Sequence, residues 1–448
     1  MLTSLLPPIN KMEVHVVSKG NNWEHAVATL DDHEYEKHSL PPSCVRVRPV
    51  LTSLTSNNLS YARGGEVLHW WDTYPVPIQV SPPYNDQKSW GIVPTWGFAI
   101  VTESTLGIAP GTVLWGFWPT ADIAVSLKLQ PSEPKGHWTE ISEPRQRLMT
   151  VYNAYSEEGH ISLPISTPKT ISSLFSEEAL QRMAWESLFR PTWQTGYLLS
   201  RHTFTSSPGT QPPVHPLGIG LPWTAEDADL SAAVVISLSA SSKTGRSFAY
   251  HMFQRRAAEG PLGLLQVSQT PSLLEPVAGK LGASILSKCV TYDQSSKSIE
   301  WITQLKPTRI VLVDFGARAG TLNQLLSSIK SHAALGQLKL AIIQVGSEQK
   351  VYSTDELKRN RELMETMGKI QFNTSAVRDA AVQLEGAQEY YSCVNPVWEK
   401  WVGISHEIAP DIHVTLGRGI SGNEGIEKGW SRLCQGSVSS REGLVYLM

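Results

Sequence analysis

Asp72 stands between Trp71 and Tyr74 in the segment HWWDTYP, residues 69–75. Aromatic neighbours strip water from a carboxyl group, which favours its neutral form and suits it to general acid or base work. The same Asp can equally serve as a cap or an ion-pair partner, and both readings stand at this point. Segment VYNAY, residues 151–155, supplies Tyr152, Asn153 and Tyr155. Their polar tips on apolar bodies suit them to orienting a carbonyl or an enol, and suit them equally to a buried core with a satisfied amide. Arg190, just ahead of Pro191, is equipped to hold a carboxylate or a thioester-derived anion, or to close an interdomain salt bridge. The candidate catalytic set is Asp72, Tyr74, Tyr152 and Asn153.

Lys243 lies in SASSKTG, residues 239–245, where a turn gives way to a helical pattern. A cation at a helix N-terminus costs roughly 0.3–1 kcal/mol unless an anion sits there. One reading has Ser241, Ser242, Lys243 and Thr244 holding a phosphate of a cofactor, of coenzyme A or of a phosphopantetheine arm. The other has a solvated or acid-paired lysine. The loop is not a P-loop, since no glycine precedes the lysine. A second glycine pattern, Gly417, Gly419 and Gly422 in LGRGISG, is followed by 26 residues. A nucleotide-binding β-α-β unit needs about 30 or more, so a glycine turn is expected there.

Several chemistries are disfavoured. Cys44, Cys289, Cys393 and Cys434 fall in no CxxC spacing, which suits reduced core thiols rather than zinc or redox motifs. The 13 His are scattered, and no G-x-S-x-G elbow of a serine hydrolase is present. With 38 Lys+Arg against 41 Asp+Glu the net charge is -3, which gives no support to nucleic-acid or polybasic membrane binding. No apolar run approaches a membrane span of about 20 residues. Pro7-Pro8 interrupts the short apolar N-terminal stretch, so no signal peptide and a cytoplasmic location are expected.

The elements that must position these residues change in texture along the chain. Residues 1 to about 60 pattern poorly, with strand-like runs at 11–17 and 44–51 and polar loop between them. From 61 to about 130, strands alternate with Gly/Pro turns, as in 96–104, 107–118 and 121–129. Trp70, Trp71, Trp90, Trp96, Trp115 and Trp118 crowd into this stretch, as β-core or as the lining of an aromatic pocket. Ser176 ahead of Glu177 and Glu178 caps a predicted helix over 176–190. A Pro/Gly-rich loop covers 205–224. Beyond it, apolar strands at 232–239, 263–269, 289–292, 309–316 and 338–346 alternate with helices at 246–260, 272–283 and 320–336. That succession predicts a parallel sheet covered on both faces. Further helices follow 352, and 411–416 is a late strand candidate.

This order resembles the medium-chain dehydrogenase/reductase superfamily. PTWGFAIVTES (94–104) stands where that superfamily has Pro-x-x-Gly-His-Glu-x-x-Gly. QTGYLL (194–199) resembles its Thr-Ala-x-x-Ala helix, and VVISLSASSKTGRSFAY (234–250) its strand, Ala-Ser-Gly-Gly-Val-Gly loop and helix. IVLVDFGARAGTLNQL (310–325) resembles its later strand and helix. A closer resemblance, over about residues 60 to 350, is to a sequence family known as domain of unknown function 2855. HWWDTYP, WGIVPTWGF (90–98), WGFWPTAD (115–122), VYNAY, LFRPTWQTGYL (188–198) and SASSKTG carry it. The resemblance implies an α/β protein: a GroES-like β-domain over 1–200, with an irregular first 60 residues and completion by 400–448, and a Rossmann-like domain over 201–399. Substrate would sit between the two, against Trp71, Trp118, Tyr155, Arg190 and Tyr197.

Departures from the superfamily pattern shape the functional expectation. Trp96-Gly97-Phe98 replaces the zinc-binding His-Glu pair, and phenylalanine cannot ligate a metal. Ser242 and Lys243 replace loop glycines that let backbone approach a diphosphate, leaving Gly245. The second strand ends QVSQT, without an acid for a ribose 2′-hydroxyl, which disfavours NAD. NADP(H) stays open through Ser268, Thr270, Arg255 or Arg256. The expectation is therefore an enzyme of non-redox chemistry without a cofactor. Because fungal members of the family resemble proteins of polyketide pathways, a polyketide intermediate is the expected substrate, released or cyclised, for example to a pyrone lactone. An NADPH-dependent ene- or ketoreductase is the first alternative. A non-catalytic partner of a polyketide synthase is the second.

Overall fold

Alternating strands build one half of this protein and continuous β-branched runs build the other. The computed structural model describes residues 11–31, 39–163, 171–318 and 320–448. Contacts divide the chain into two units, Met1–Leu188 with Val414–Met448, and Phe189–His413. The reading of Pro7-Pro8 lies outside the described residues.

The first unit holds β1 (Lys11–Ser18), β2 (His25–Asp31), β3 (Cys44–Leu54), β4 (Trp90–Gly91), β5 (Pro94–Ser104), β6 (Thr112–Pro119), β7 (Val125–Ser132), β8 (His137–Glu140) and β9 (Ala154–His160). β3 pairs with β5 along one side and with β7 on the other, so the run β3-β5-β6-β9-β8-β7 closes into a barrel. The strand Glu442–Leu447 pairs with the remaining length of β3. In β7 buried and exposed residues alternate, whereas β6 is buried throughout, as expected for strands with one and two covered faces. Gly97 of β5 faces Gly116 of β6. A Cβ at Gly97 would lie 2.1 Å from the Leu51 carbonyl oxygen, and one at Gly116 would lie 2.1 Å from the Tyr155 ring. The two glycines therefore permit the tight β3–β5–β6 approach. A smaller sheet in the order β2-β1-β4 covers part of the core built on Val14, Val16, Val45, Val47 and Trp118.

The second unit carries β10 (Ala233–Leu238), β11 (Gly263–Val267), β12 (Leu286–Val290), β13 (Arg309–Phe315), β14 (Lys339–Gly346) and β15 (Lys369–Gln371), ordered β12-β11-β10-β13-β14-β15 and parallel throughout. Every residue of β10 and β13 is buried. Chain order reverses between these two strands, the point at which doubly wound sheets take ligands. The fold is α/β, a β-barrel unit and a Rossmann-like unit with a doubly wound parallel sheet. Among the described residues no helix is long and apolar enough to cross a membrane.

Three expectations need correction. The polar stretch after residue 17 contains β2, hidden because its inward positions are the small Ala26 and Ala28 beside Leu30. The first 60 residues are not an irregular extension, since they supply β1, β2 and the long barrel strand β3. The helix expected at 246–260 runs instead over Lys243–Phe253, because Ser242 caps it three residues earlier. The glycines of LGRGISG do form a turn, with Gly419 at φ +65° and Gly422 at φ +80°.

Candidate functional site

In the barrel unit HWWDTYP makes a sharp bend. His69 holds φ +61°, unusual for a residue with a Cβ, and Trp70–Asp72 form a single 3-10 turn. The bend returns Asp72 to His69: Asp72 Oδ2 lies 3.0 Å from His69 Nδ1 and 3.1 Å from an Arg147 guanidinium nitrogen. Asp72 is therefore ion-paired rather than isolated among aromatic rings. It lines a cavity of about 380 Å³ together with Trp71, Trp90, Lys19, Lys88 and Arg147. Trp71 is clamped in the wall. A Cβ at Gly65 or Gly91 would lie 2.3 Å from its ring, and the Lys19 ammonium stands 5.8 Å from its ring centroid.

The other barrel candidates lie deeper. Tyr74 and Tyr155 are buried, and both hydroxyls donate to the Phe117 carbonyl, at 2.6 and 3.0 Å. Arg145, 2% exposed, donates to the Tyr155 hydroxyl at 2.8 Å, covers the Tyr74 ring at 4.5 Å and lies 3.8 Å from the Glu140 carboxylate. Asn153 donates to the Arg145 carbonyl at 2.9 Å. Trp118 has no exposed surface and donates its indole N–H to Gly97. These groups form a network inside the barrel, and burial pushes both phenols above their ordinary range.

Tyr152 belongs to a separate aromatic nest. Its ring stands 4.8 Å from Phe117, 5.6 Å from Trp70, 5.7 Å from Tyr61 and 5.8 Å from Trp96. Tyr61 takes the Trp96 indole N–H at 3.1 Å, and its phenol is pushed up to about 12 by burial. Burial holds Tyr152 well above the ordinary phenol range.

In the second unit the loop after β10 runs through Ser239 at φ +58°, a conformation glycine adopts more readily. Ser242 N-caps the following helix, its hydroxyl accepting the Gly245 amide hydrogen at 3.0 Å. Gly245 is required by packing, because a Cβ there would lie 2.9 Å from the Ala240 carbonyl oxygen. The Ser241 carbonyl accepts from Arg246, whose guanidinium forms a buried two-pronged pair with Asp411 at 3.0 and 2.6 Å. Ser241 is buried, while Ser242, Lys243 and Thr244 are half-buried. The loop keeps the glycine that packs helix on strand, and serine and lysine stand at 242 and 243 where the dinucleotide loop pattern has glycine. Arg255 binds the carbonyls of Ser200, Phe204 and Glu259, and Arg256 pairs with Glu259. Both follow the C-terminal end of the helix Lys243–Phe253. Arg190 is half-buried beside Pro191. Tyr197 is 3% exposed and stacks on Trp193 at 5.4 Å. Gly196 lets its helix approach the helix after β10, since a Cβ there would lie 2.4 Å from Ser247 Oγ.

Sequence reasoning missed His69, Arg147, Lys19 and Lys88. His69 stood inside the quoted segment, at the i, i+3 spacing that a single helical turn brings together. The other three come from distant segments, and nothing in the sequence couples them to Asp72. Among the described residues no three His, Cys, Asp or Glu side chains gather as a metal-ligand set.

A family model described as "Protein of unknown function (DUF2855)" matches residues 52–439. No curated protein sequence matches the chain. Among solved structures it is similar to CurK enoyl reductase, at 10% identity over 98% of this chain and 100% of that one, with a TM-score of 0.46. It is similar to CurA from Vibrio vulnificus in complex with NADPH, at 10% identity over 98% and 99%, with a TM-score of 0.44. It is also similar to an alcohol dehydrogenase from Thermotoga maritima, at 11% identity over 98% and 99%, with a TM-score of 0.43.

Proposed function

The chain belongs to the DUF2855 family, and on that premise we propose that it is a non-redox acid/base enzyme on a dehydrogenase-like fold, acting on a polyketide intermediate in the barrel cavity beside Asp72. The observation that carries this reading is the closed loop after β10. Ser242 already occupies the Gly245 amide, and side chains stand at 242 and 243 where a diphosphate needs bare backbone. The substrate class rests on the resemblance of fungal family members to polyketide-pathway proteins.

Asp72, which lines the cavity, supplies the general base, and His69 Nδ1, 3.0 Å from its carboxylate, positions it. Taking the proton of an enol, that carboxylate raises the nucleophilicity of the enol oxygen. The oxygen attacks the chain's own thioester carbonyl, a C–O bond forms and the C–S bond breaks. The proton passes to the departing thiolate, giving a lactone and a free thiol. General base catalysis of this kind contributes about 10²–10⁴-fold. The test is release of a pyrone from a triketide thioester by purified protein, followed by ultraviolet absorbance and free-thiol titration. Absence of pyrone above the uncatalysed rate sinks the reading.

A competing reading, an NADPH-dependent ene- or ketoreductase, is favoured by the strand order of the second unit and by the retained Gly245. NADPH consumption on an enoyl or β-keto thioester would establish it in place of the first.

A further inference from the structure

We infer that His15 and His25 form a proton-sensitive clamp, holding the β2-β1-β4 sheet, and with it one wall of the cavity beside Asp72, on the helix Ile426–Cys434. As regulation of that cavity it rests on the acid/base reading; as a property of the fold it is tested without turnover. Alternation along β1 sends Val14 and Val16 into the barrel core and His15 and Val17 to the opposite face, and all four are fully buried. On that second face His15 Nε2 lies 3.0 Å from His25 Nδ1, and His25 Nε2 lies 2.9 Å from Ser431 Oγ. Ser431 in turn donates to the Glu427 carbonyl at 3.2 Å. One file of hydrogen bonds thus joins β1, β2 and a helix more than 400 residues further along the chain.

The file has a direction. His15 Nδ1 is buried with no partner, and a proton there would be a buried donor without an acceptor. His15 therefore carries its proton on Nε2 and donates to His25 Nδ1, and His25 donates from Nε2 to Ser431 Oγ. A second proton on His25 enters at Nδ1 and meets the His15 Nε2–H head-on. One on His15 enters at the unpartnered Nδ1. Either breaks a link or leaves a buried donor unmet. The neighbouring charges are engaged elsewhere: the Glu427 carboxylate accepts the Gly422 amide at 2.9 Å, Glu13 on β1 accepts from Ser421, and Arg432 is paired with Glu442. Burial lowers both imidazoles from their ordinary value, against the raising effect of Glu427 on His25, in keeping with two neutral rings.

Val17 couples the clamp to the cavity. It pairs with His25 on one side and with Gly91 on the other. Gly91 and Trp71 both line the cavity, and a Cβ at Gly91 would lie 2.3 Å from the Trp71 ring, so the ring rests on this row. Below about pH 6.5 an undocked histidine takes the proton that the docked one refuses. The sheet then leaves the helix and draws Gly91 from beneath Trp71, the neighbour of Asp72.

Hydrogen exchange of the full chain at pH 7 and pH 5, corrected for the intrinsic pH dependence of amide exchange and read by mass spectrometry, tests this. Peptides spanning 11–31 and 426–434 should lose protection at least about tenfold more than peptides of β6 on going to pH 5, as one histidine titrating near 6.5 requires. His25→Gln keeps an acceptor and a donor and takes no proton, so the step should vanish. Ser431→Ala opens the outer link with a good helix former and should bring the protection of 11–31 at pH 7 down toward that of the natural protein at pH 5. A loss spread evenly over the barrel, a step that persists in His25→Gln, or unchanged protection in Ser431→Ala overturns the inference. No substrate enters the measurement, so the clamp stands in a protein that releases no pyrone, and an absent step leaves the reaction untouched.

Discussion

Ser242 Oγ accepts the amide hydrogen of Gly245 at 3.0 Å, so the helix end that meets the diphosphate in a dinucleotide-binding unit is closed by its own side chain. Replacing Ser242 and Lys243 together by glycine removes the cap and both side chains. The double variant should bind NADPH at least about tenfold more tightly than the natural protein, at a helix cost of about 1 kcal/mol. Fluorescence titration measures this. Micromolar NADPH binding by the natural protein, dependent on the 2′-phosphate, would contradict the reading of the loop.

His69→Asn and Asp72→Asn should each lower kcat for pyrone release by about 10²–10⁴-fold with little change in folding stability. Both side chains are part-exposed, at 28% and 33%, so stability should not mask the effect. Rates within threefold of the natural protein in both variants would exclude Asp72 as the base and His69 as its positioning partner.

Gly91→Ala should displace Trp71, because the added Cβ meets a ring held on its other side by Gly65. Overpacking of this kind costs about 1–3 kcal/mol. Urea denaturation reads the cost, and near-ultraviolet circular dichroism reads the altered indole environment. An unchanged denaturation midpoint would mean that the wall yields.

Arg145→Met should destabilise the barrel unit by about 3–5 kcal/mol, because it leaves the Glu140 carboxylate buried without its cation. Tyr155→Phe removes one hydroxyl from the same network and should cost about 1 kcal/mol, with pyrone release by the folded fraction unchanged. A large fall in kcat with stability intact would return Tyr155 to the reacting groups.

Burial lowers His15, His202 and His251 from 6.5 to about 3. Each is neutral in the folded protein and takes up a proton on unfolding once pH drops below about 6.5. Stability is therefore full above that value and falls with pH down to about 3, by about 1.4 kcal/mol per pH unit for each group. Denaturation midpoints at pH 7 and pH 5 measure the slope. His15→Gln keeps a donor for His25, which lies 3.0 Å from His15, and should make the slope shallower. A steeper slope in that variant would reverse the assignment.

The Rossmann-like unit was legible because β10 and β13 are continuous apolar runs, and only a sheet covered on both faces buries every residue of such a run. The altered loop was legible because Ser242 and Lys243 carry side chains where the resemblance expects none. The barrel was harder to read. β2 hides behind alanines, and closure depends on β3 pairing with both β5 and β7, a relationship that no local pattern encodes.

Residue type by itself determined which groups had chemistry to offer and which chemistries lacked their ligands, since those properties belong to single side chains and short spacings. Tertiary structure decided which of them meet. It drew Tyr74, Tyr155, Asn153 and Trp118 into the interior, where their polar atoms answer to backbone and Arg145. It brought Arg147 to Asp72 across 75 residues. The reason is physical: burial and charge pairing depend on distance through space, and the chain's local patterns carry no record of distances between segments far apart in sequence.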